Sequence, residues 1–110
     1  MANAFKTYAS RGVGTSLTAI GSHTVASSTT ETVIGMTVSN VTGSAVNVTV
    51  TYNDGANDTR IVKDAPVPTG GALTPIGGDQ KIVLEVGDSI KVSSNTASSV
   101  DAVMSVLEQT

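Results

Sequence analysis

The chain has no cysteine, no tryptophan, one histidine and only three other aromatic side chains in 110 residues. Without cysteine no disulfide can staple the fold, so stability must come from a core and from association with other chains. With a single histidine and no thiolate, zinc sites of the usual kinds cannot be assembled within one chain. Phe5, Tyr8 and Tyr52 are too few for the aromatic platforms on which sugar- and base-binding modules rely. Charge is scarce as well: six Lys plus Arg against nine Asp plus Glu leave a net charge of -3, with only 14% of residues charged. No basic face forms, which argues against nucleic acid as a partner. No apolar run approaches a membrane span. The start, Met1-Ala2-Asn3-Ala4-Phe5-Lys6, lacks the pattern of a secretory signal, so the expectation is a soluble protein made in a cytoplasm.

What the chain does have is β-branched and small polar residues. Ser and Thr exceed a quarter of the sequence, Val is abundant, and the mean hydropathy is +0.15. Stiff, branched side chains suit a pleated surface. Thr32 to Tyr52 shows this most clearly. Two runs of period-two alternation flank Thr42-Gly43-Ser44: Ile34, Met36 and Val38 share one face of the first, and Val46, Val48, Val50 and Tyr52 one face of the second. A short Gly-containing break between alternating runs reads as a hairpin loop. The cluster Asn53-Asp54-Gly55-Ala56-Asn57-Asp58 then turns the chain into a strand over Thr59–Lys63, extending the expected hairpin to a three-stranded meander.

Elsewhere the signals are shorter. Residues 1–16 read as an N-terminal arm or edge strand, extended over Ala4–Ser10 and able to pair along the sheet edge of another subunit. Residues 17–110 read as the β-sandwich domain. Leu17–Ile20 and Thr24–Ala26 form one bent strand or two. Pro66 and Pro68 stop ladder pairing, and Pro75 limits Ala72–Ile76 to an edge. Gln80–Val86 places Ile82, Leu84 and Val86 on one face, and Ser89–Ser93 places Ile90 and Val92 inward. Val100–Leu107 is apolar on both faces, as a strand that is central or covered by a partner is; a helix over Ser98–Glu108 is the weaker alternative. The sum is an all-β domain, a single antiparallel β-sandwich of jelly-roll-like type with an extended N-terminal arm.

No catalytic set emerges. His23 beside Gly21-Ser22 reads as an exposed loop residue, and no G-x-S-x-G elbow supports a Ser-His-Asp arrangement. Asp54, Asn57 and Asp58 fail the spacing of a calcium loop and read as turn residues. Glu31, Glu85, Asp88 and Glu108 sit at element ends and read as solvated positions. Gly70-Gly71 and Gly77-Gly78 lack the Lys-Ser/Thr of a phosphate loop. The N-x-T triplets at Asn40, Asn47 and Asn57 are expected by chance in a chain this rich in Thr. The expected catalytic, cofactor-binding and metal residues are therefore none.

Several stretches resemble a known group. Met1-Ala2-Asn3-Ala4-Phe5-Lys6-Thr7-Tyr8, Val33–Asn40, Ile61–Pro68, Lys81–Val92 and Ser98–Glu108 look like small all-β virion structural proteins of tailed bacteriophages, notably cyanophages. The resemblance implies a non-enzymatic protein of the virion, synthesised in the host cytoplasm. It implies homo-oligomers and contact with other virion proteins, the major capsid protein first among them, with neither nucleic acid nor membrane as a partner. A capsid decoration or cement protein is the first expectation. A neck, tail or baseplate component is the second, and a carbohydrate- or receptor-binding β-sandwich is the rival from another class.

Overall fold

Period-two burial organises almost every segment of the chain, and the strands follow from it. The structure is a computed structural model and describes residues 2–110. Its strands are β1 (Asn3–Val13), β2 (Thr18–Ala19), β3 (Thr30–Asn40), β4 (Val46–Asn53), β5 (Asp58–Val67), β6 (Ala72–Ile76), β7 (Ile82–Leu84), β8 (Ser89–Ser94) and β9 (Val100–Gln109). One 3₁₀ turn, Ile20–Ser22, follows β2. The strands form two antiparallel sheets. The first runs β1-β9-β3-β6, with the short β7 also on β3, and the second runs β2-β8-β4-β5. All pairings are antiparallel.

This order is that of a rolled hairpin. β4 pairs with β5, β3 with β6 and β7, β2 with β8, and β1 with β9, so the chain folds back on itself from the turn after Asn53. Rolling that ribbon brings β9 against β3 as well and β8 against β4. The result is the jelly-roll arrangement of a β-sandwich. Asp54-Gly55, expected as a tight turn, is the tip of the ribbon. Its Asp54 Oδ1 accepts the backbone N–H groups of Ala56 at 3.0 Å and Asn57 at 2.8 Å. Gly55 takes φ +96°, where a side chain would be strained.

The core lies between the sheets. Val100, Ala102, Met104 and Val106 of β9 are inward and at most 2% exposed, and Ile90 and Val92 of β8 are fully buried. These rows match the sequence expectation, and β9 is central, between β1 and β3. The expected helix alternative at Ser98–Glu108 gives way to strand.

Several expectations are corrected. The hairpin across Thr42-Gly43-Ser44 does not form: β3 and β4 lie in different sheets, and the meander reduces to β4–β5. Alternation reports which side of a strand is buried, not which strand lies beside it. Asn40 holds the crossing instead. Its Nδ2 donates to Ser44 O at 2.8 Å and Val67 O at 3.1 Å, and its Oδ1 accepts Thr42 N–H at 2.9 Å and Thr42 Oγ1–H at 2.7 Å. Within β3 a bulge at Ile34 shifts the face, so Val33, Met36 and Val38 point inward. Finally, Pro66 does not end β5. It stands opposite Asn47 on an edge strand, where a missing N–H is tolerated. Residues 3–13 form the edge strand of the first sheet along β9, longer than Ala4–Ser10.

A second crossing, from β7 to β8, is held by Asp88, which is 5% exposed rather than solvated. Its Oδ2 accepts Tyr52 OH at 2.7 Å and Glu85 N–H at 2.8 Å. Val86, expected inward, is 56% exposed because the strand ends before this turn.

Two outcomes are expected. Asn40→Ala removes four hydrogen bonds at a buried crossing and destabilises the fold by about 2–4 kcal/mol in urea unfolding. The Tyr52 phenol, which donates to the Asp88 carboxylate, has its pKa pushed up to about 12. An ultraviolet titration of the folded protein therefore shows a late phenolate transition that Asp88→Asn moves back toward the ordinary value.

Candidate functional site

The β1-β9-β3 part of the first sheet outruns the β2-β8 part of the second, although β4 and β5 are 8 and 10 residues long. β1 and β3 are 11 residues long, whereas β2 is 2 and β8 is 6. At the end where β1 begins, the inward row of the first sheet continues past the apolar core into Lys6, Tyr8, Glu31 and Glu108. The segment between β2 and β3, residues 20–29, covers it. With His23 these four residues make a cluster of five titratable side chains.

Each member is placed by strand register. Glu31 lies two residues before Val33, which puts it on the inward row of β3, and it stands directly opposite Glu108 of β9. Tyr8 stands opposite Met104 and Lys6 opposite Val106 on β1. His23 arrives from the covering segment just after the 3₁₀ turn, and its ring stacks on Tyr8 with centroids 3.7 Å apart and planes 10° apart. That close approach requires Gly21. A Cβ there would meet Tyr8 Cβ at 3.1 Å, and its φ of +62° is one that L side chains rarely adopt. Gly21 N–H also donates to Ser10 Oγ at 2.7 Å, tying the turn to β1.

The centre of the cluster is the pair His23–Glu31. His23 Nε2 lies 2.9 Å from Oε1 and 2.8 Å from Oε2 of Glu31. The Glu31 side chain is 0% exposed and that of His23 14%. Burial pushes the Glu31 carboxyl above its ordinary value; the hydrogen bond and charge of His23 oppose this, and Glu108 adds to it. Lys6 Nζ approaches Glu108 Oε1 at 3.3 Å across the more open rim. Burial, followed by the charges of Glu31 and Glu108, pushes the Tyr8 phenol up.

This arrangement corrects two sequence readings. His23 is not an exposed loop residue, and Glu31 is not solvated. A signal was available for Glu31, since extending the Val33 row backwards by one period lands on it. Nothing in the sequence indicated that His23, eight residues earlier in a Ser/Thr-rich stretch, would close over it.

Chemically the cluster binds segment 20–29 to the sheet. The carboxylate has both oxygens engaged by one imidazole nitrogen, and the imidazole face is covered by Tyr8. No group of three or more potential metal ligands occurs among the described residues, and no pocket opens beside the pair. The turn residues Asp54, Asn57 and Asp58 lie elsewhere, at the ribbon tip. There Asp58 Oδ1 accepts Asn53 Nδ2–H at 2.9 Å and Thr51 Oγ1–H at 3.0 Å, which holds its carboxyl below the usual range.

The pair makes stability pH-dependent in a defined direction. A carboxyl whose folded pKa is raised supports the fold fully below its unfolded value and loses that contribution as pH rises through the folded one. Relative to Glu31→Gln, the natural chain therefore becomes progressively less stable as pH rises above about 4.5. Urea midpoints of both proteins across pH 4–8 check this; a constant difference would mean that Glu31 titrates as an ordinary carboxyl.

Compared with protein-family models, curated proteins and solved structures, the chain gives no match.

Proposed function

We propose that this chain is a non-enzymatic structural protein of a tailed-phage particle, decorating the head and cementing its lattice by contact with the major capsid protein. The sequence resemblance supplies the setting. The observation that carries the reading is the outer face of the first sheet.

Strand register places Phe5, Leu107, Thr32 and Val83 in one row across that face. Ala9, Val103 and Thr37 form a second row. Between these rows stand Thr7, Ser105 and Gly35. From Asn3 to Ala9 of β1, and across their neighbours on β9 and β3, no outward side chain is charged. Phe5 is 78% exposed, Val83 55% and Val103 42%. A broad uncharged sheet with exposed apolar residues resembles the centre of a protein–protein contact more than an ordinary solvated face. Docked flat on a capsid subunit, it would bury modest area per copy, and the many copies of a lattice would make the sum large.

This reading takes the partners to be the chain itself and other virion proteins, with no nucleic acid, membrane or cofactor, and the location to be the virion after synthesis in the host cytoplasm. It assigns no reaction to the His23–Glu31 pair, whose role is to hold the fold closed.

Quantitative mass spectrometry of purified particles is expected to find this protein near one-to-one with the major capsid protein. Val103→Asp, a charge placed in the middle of the face, is expected to lower that ratio at least tenfold while leaving the isolated protein folded. A handful to a few dozen copies would move the protein to the neck or tail, and its absence from particles would end the structural reading.

A further inference from the structure

The free edge of β1 is left open in a way that no other sheet edge among the described residues is. Backbone hydrogen bonds fix which groups face it. Ala2 N–H donates to Thr110 O at 3.1 Å and Thr110 N–H to Ala2 O at 2.9 Å, so these two residues form a mutually bonded pair. In an antiparallel ladder bonded and non-bonded pairs alternate. The register runs unbroken from Asn3–Gln109 to Ser10–Ala102. The N–H and C=O groups of Asn3, Phe5, Thr7 and Ala9 therefore point away from β9. The position of Gly21 agrees: a Cβ there would lie 3.4 Å from Ala9 N and 3.5 Å from Ala9 O. The 3₁₀ turn thus covers the edge at Ala9 and leaves Asn3, Phe5 and Thr7 open.

The other edges are blunted. β5 carries Pro66 and a positive-φ Asp64, and its ladder with β4 is shifted on both sides of Val50. β6 contains Pro75, β7 has 3 residues and β2 has 2. Proline, bulges and shortness are the usual protections against strand addition. The stretch Asn3–Thr7 has no proline and no bulge and is not short; its one charge, Lys6, is paired with Glu108 of its own sheet at 3.3 Å, and Phe5 in its middle is 78% exposed.

The geometry points to self-association: two copies of this chain pair β1 with β1, antiparallel, about a twofold axis at Phe5. The choice of a second copy follows from self-complementarity. With the axis at Phe5, Phe5 stands opposite Phe5 of the other copy, and Asn3 stands opposite Thr7. Every outward N–H and C=O of these three residues is then satisfied. Lys6 faces Ala4 rather than another Lys6, so like charges are not opposed. An axis at Lys6 would oppose the two lysines, and an axis at Thr7 would require the edge that Gly21 covers. On the outer face the row Val83-Thr32-Leu107-Phe5 runs straight on into its own repeat, joining two sheets into one. An isologous pair of this kind is closed and does not propagate. The inference does not rest on the virion reading, and its test uses free protein.

The natural chain has no cysteine, so crosslinking reads the register directly. In Phe5→Cys the two sulfurs belong to a bonded pair with Cα atoms about 5.5 Å apart, inside the disulfide range of roughly 4.4–6.8 Å. In Thr7→Cys the two cysteines lie four residues out of step, roughly 13 Å along the strand. Under mild oxidation Phe5→Cys is expected to give at least tenfold more disulfide-linked dimer than Thr7→Cys. Sedimentation equilibrium of the natural chain should show a concentration-dependent dimer. Phe5→Pro removes one outward donor and leaves the β9 ladder its bonds; it is expected to lose the dimer while keeping the circular-dichroism spectrum of the fold. If that variant unfolds, Phe5→Lys, which opposes two like charges, gives the same readout. Dominant crosslinking through Thr7→Cys, or a natural chain that stays monomeric at several hundred micromolar, would overturn the pairing.

Discussion

The two ladders of β9 carry the rest of the molecule. The last strand lies between β1 and β3 and is bonded to both, so the first sheet exists only with β9 in place. Its inward row is almost wholly buried, and it faces a second sheet whose inner strands, β8 and β4, obey the same rule of one apolar side chain in two. Because the domain has no disulfide and few aromatic side chains, that layer of Val, Ile, Met and Leu is the main source of its stability. The polar groups that must go inside are placed where the chain changes sheets. Asn40 holds one crossing and Asp88 another, each replacing lost backbone partners with side-chain ones.

Burying a hydrogen-bonded polar pair has its own logic here. The His23–Glu31 pair closes the end where the first sheet has no second sheet beneath it. Buried polar pairs add little net stability over well-packed apolar residues, yet losing one partner is costly because the other is stranded. The pair therefore specifies more than it stabilises. It selects one position for segment 20–29, with Gly21 against Tyr8 and the imidazole over the phenol ring. That same position decides how much of the β1 edge remains open.

Much of this was legible in the residues and some was not. The all-β class, the inward rows of β8 and β9 and the Asp54-Gly55 turn follow from period-two alternation and turn chemistry, which are local properties, and the central place of β9 agrees with its apolar residues on both faces. The pairing of β3 was not legible. A Gly-containing break between two alternating runs looks the same whether the chain makes a hairpin or passes to the facing sheet, and the deciding groups, Ser44 O and Val67 O around Asn40, lie partly outside the break. The bulge at Ile34 was hidden because one extra residue leaves composition unchanged while reversing the face. Glu31 was misread because an acid at the end of a strand is usually solvated; only the length mismatch between the sheets, a tertiary property, puts it under cover.

The rolled ribbon also bears on how the chain is made. β1 and β3 emerge from the ribosome well before the strand that belongs between them. Until then both present a bare backbone edge to solvent. Their partners are far apart in sequence, as with Asn3 and Gln109, and such long-range pairings form slowly. Nascent chains on one message would therefore offer each other the same edges. The scarcity of large aromatic side chains, unfavourable for a core, would limit how firmly those early encounters hold.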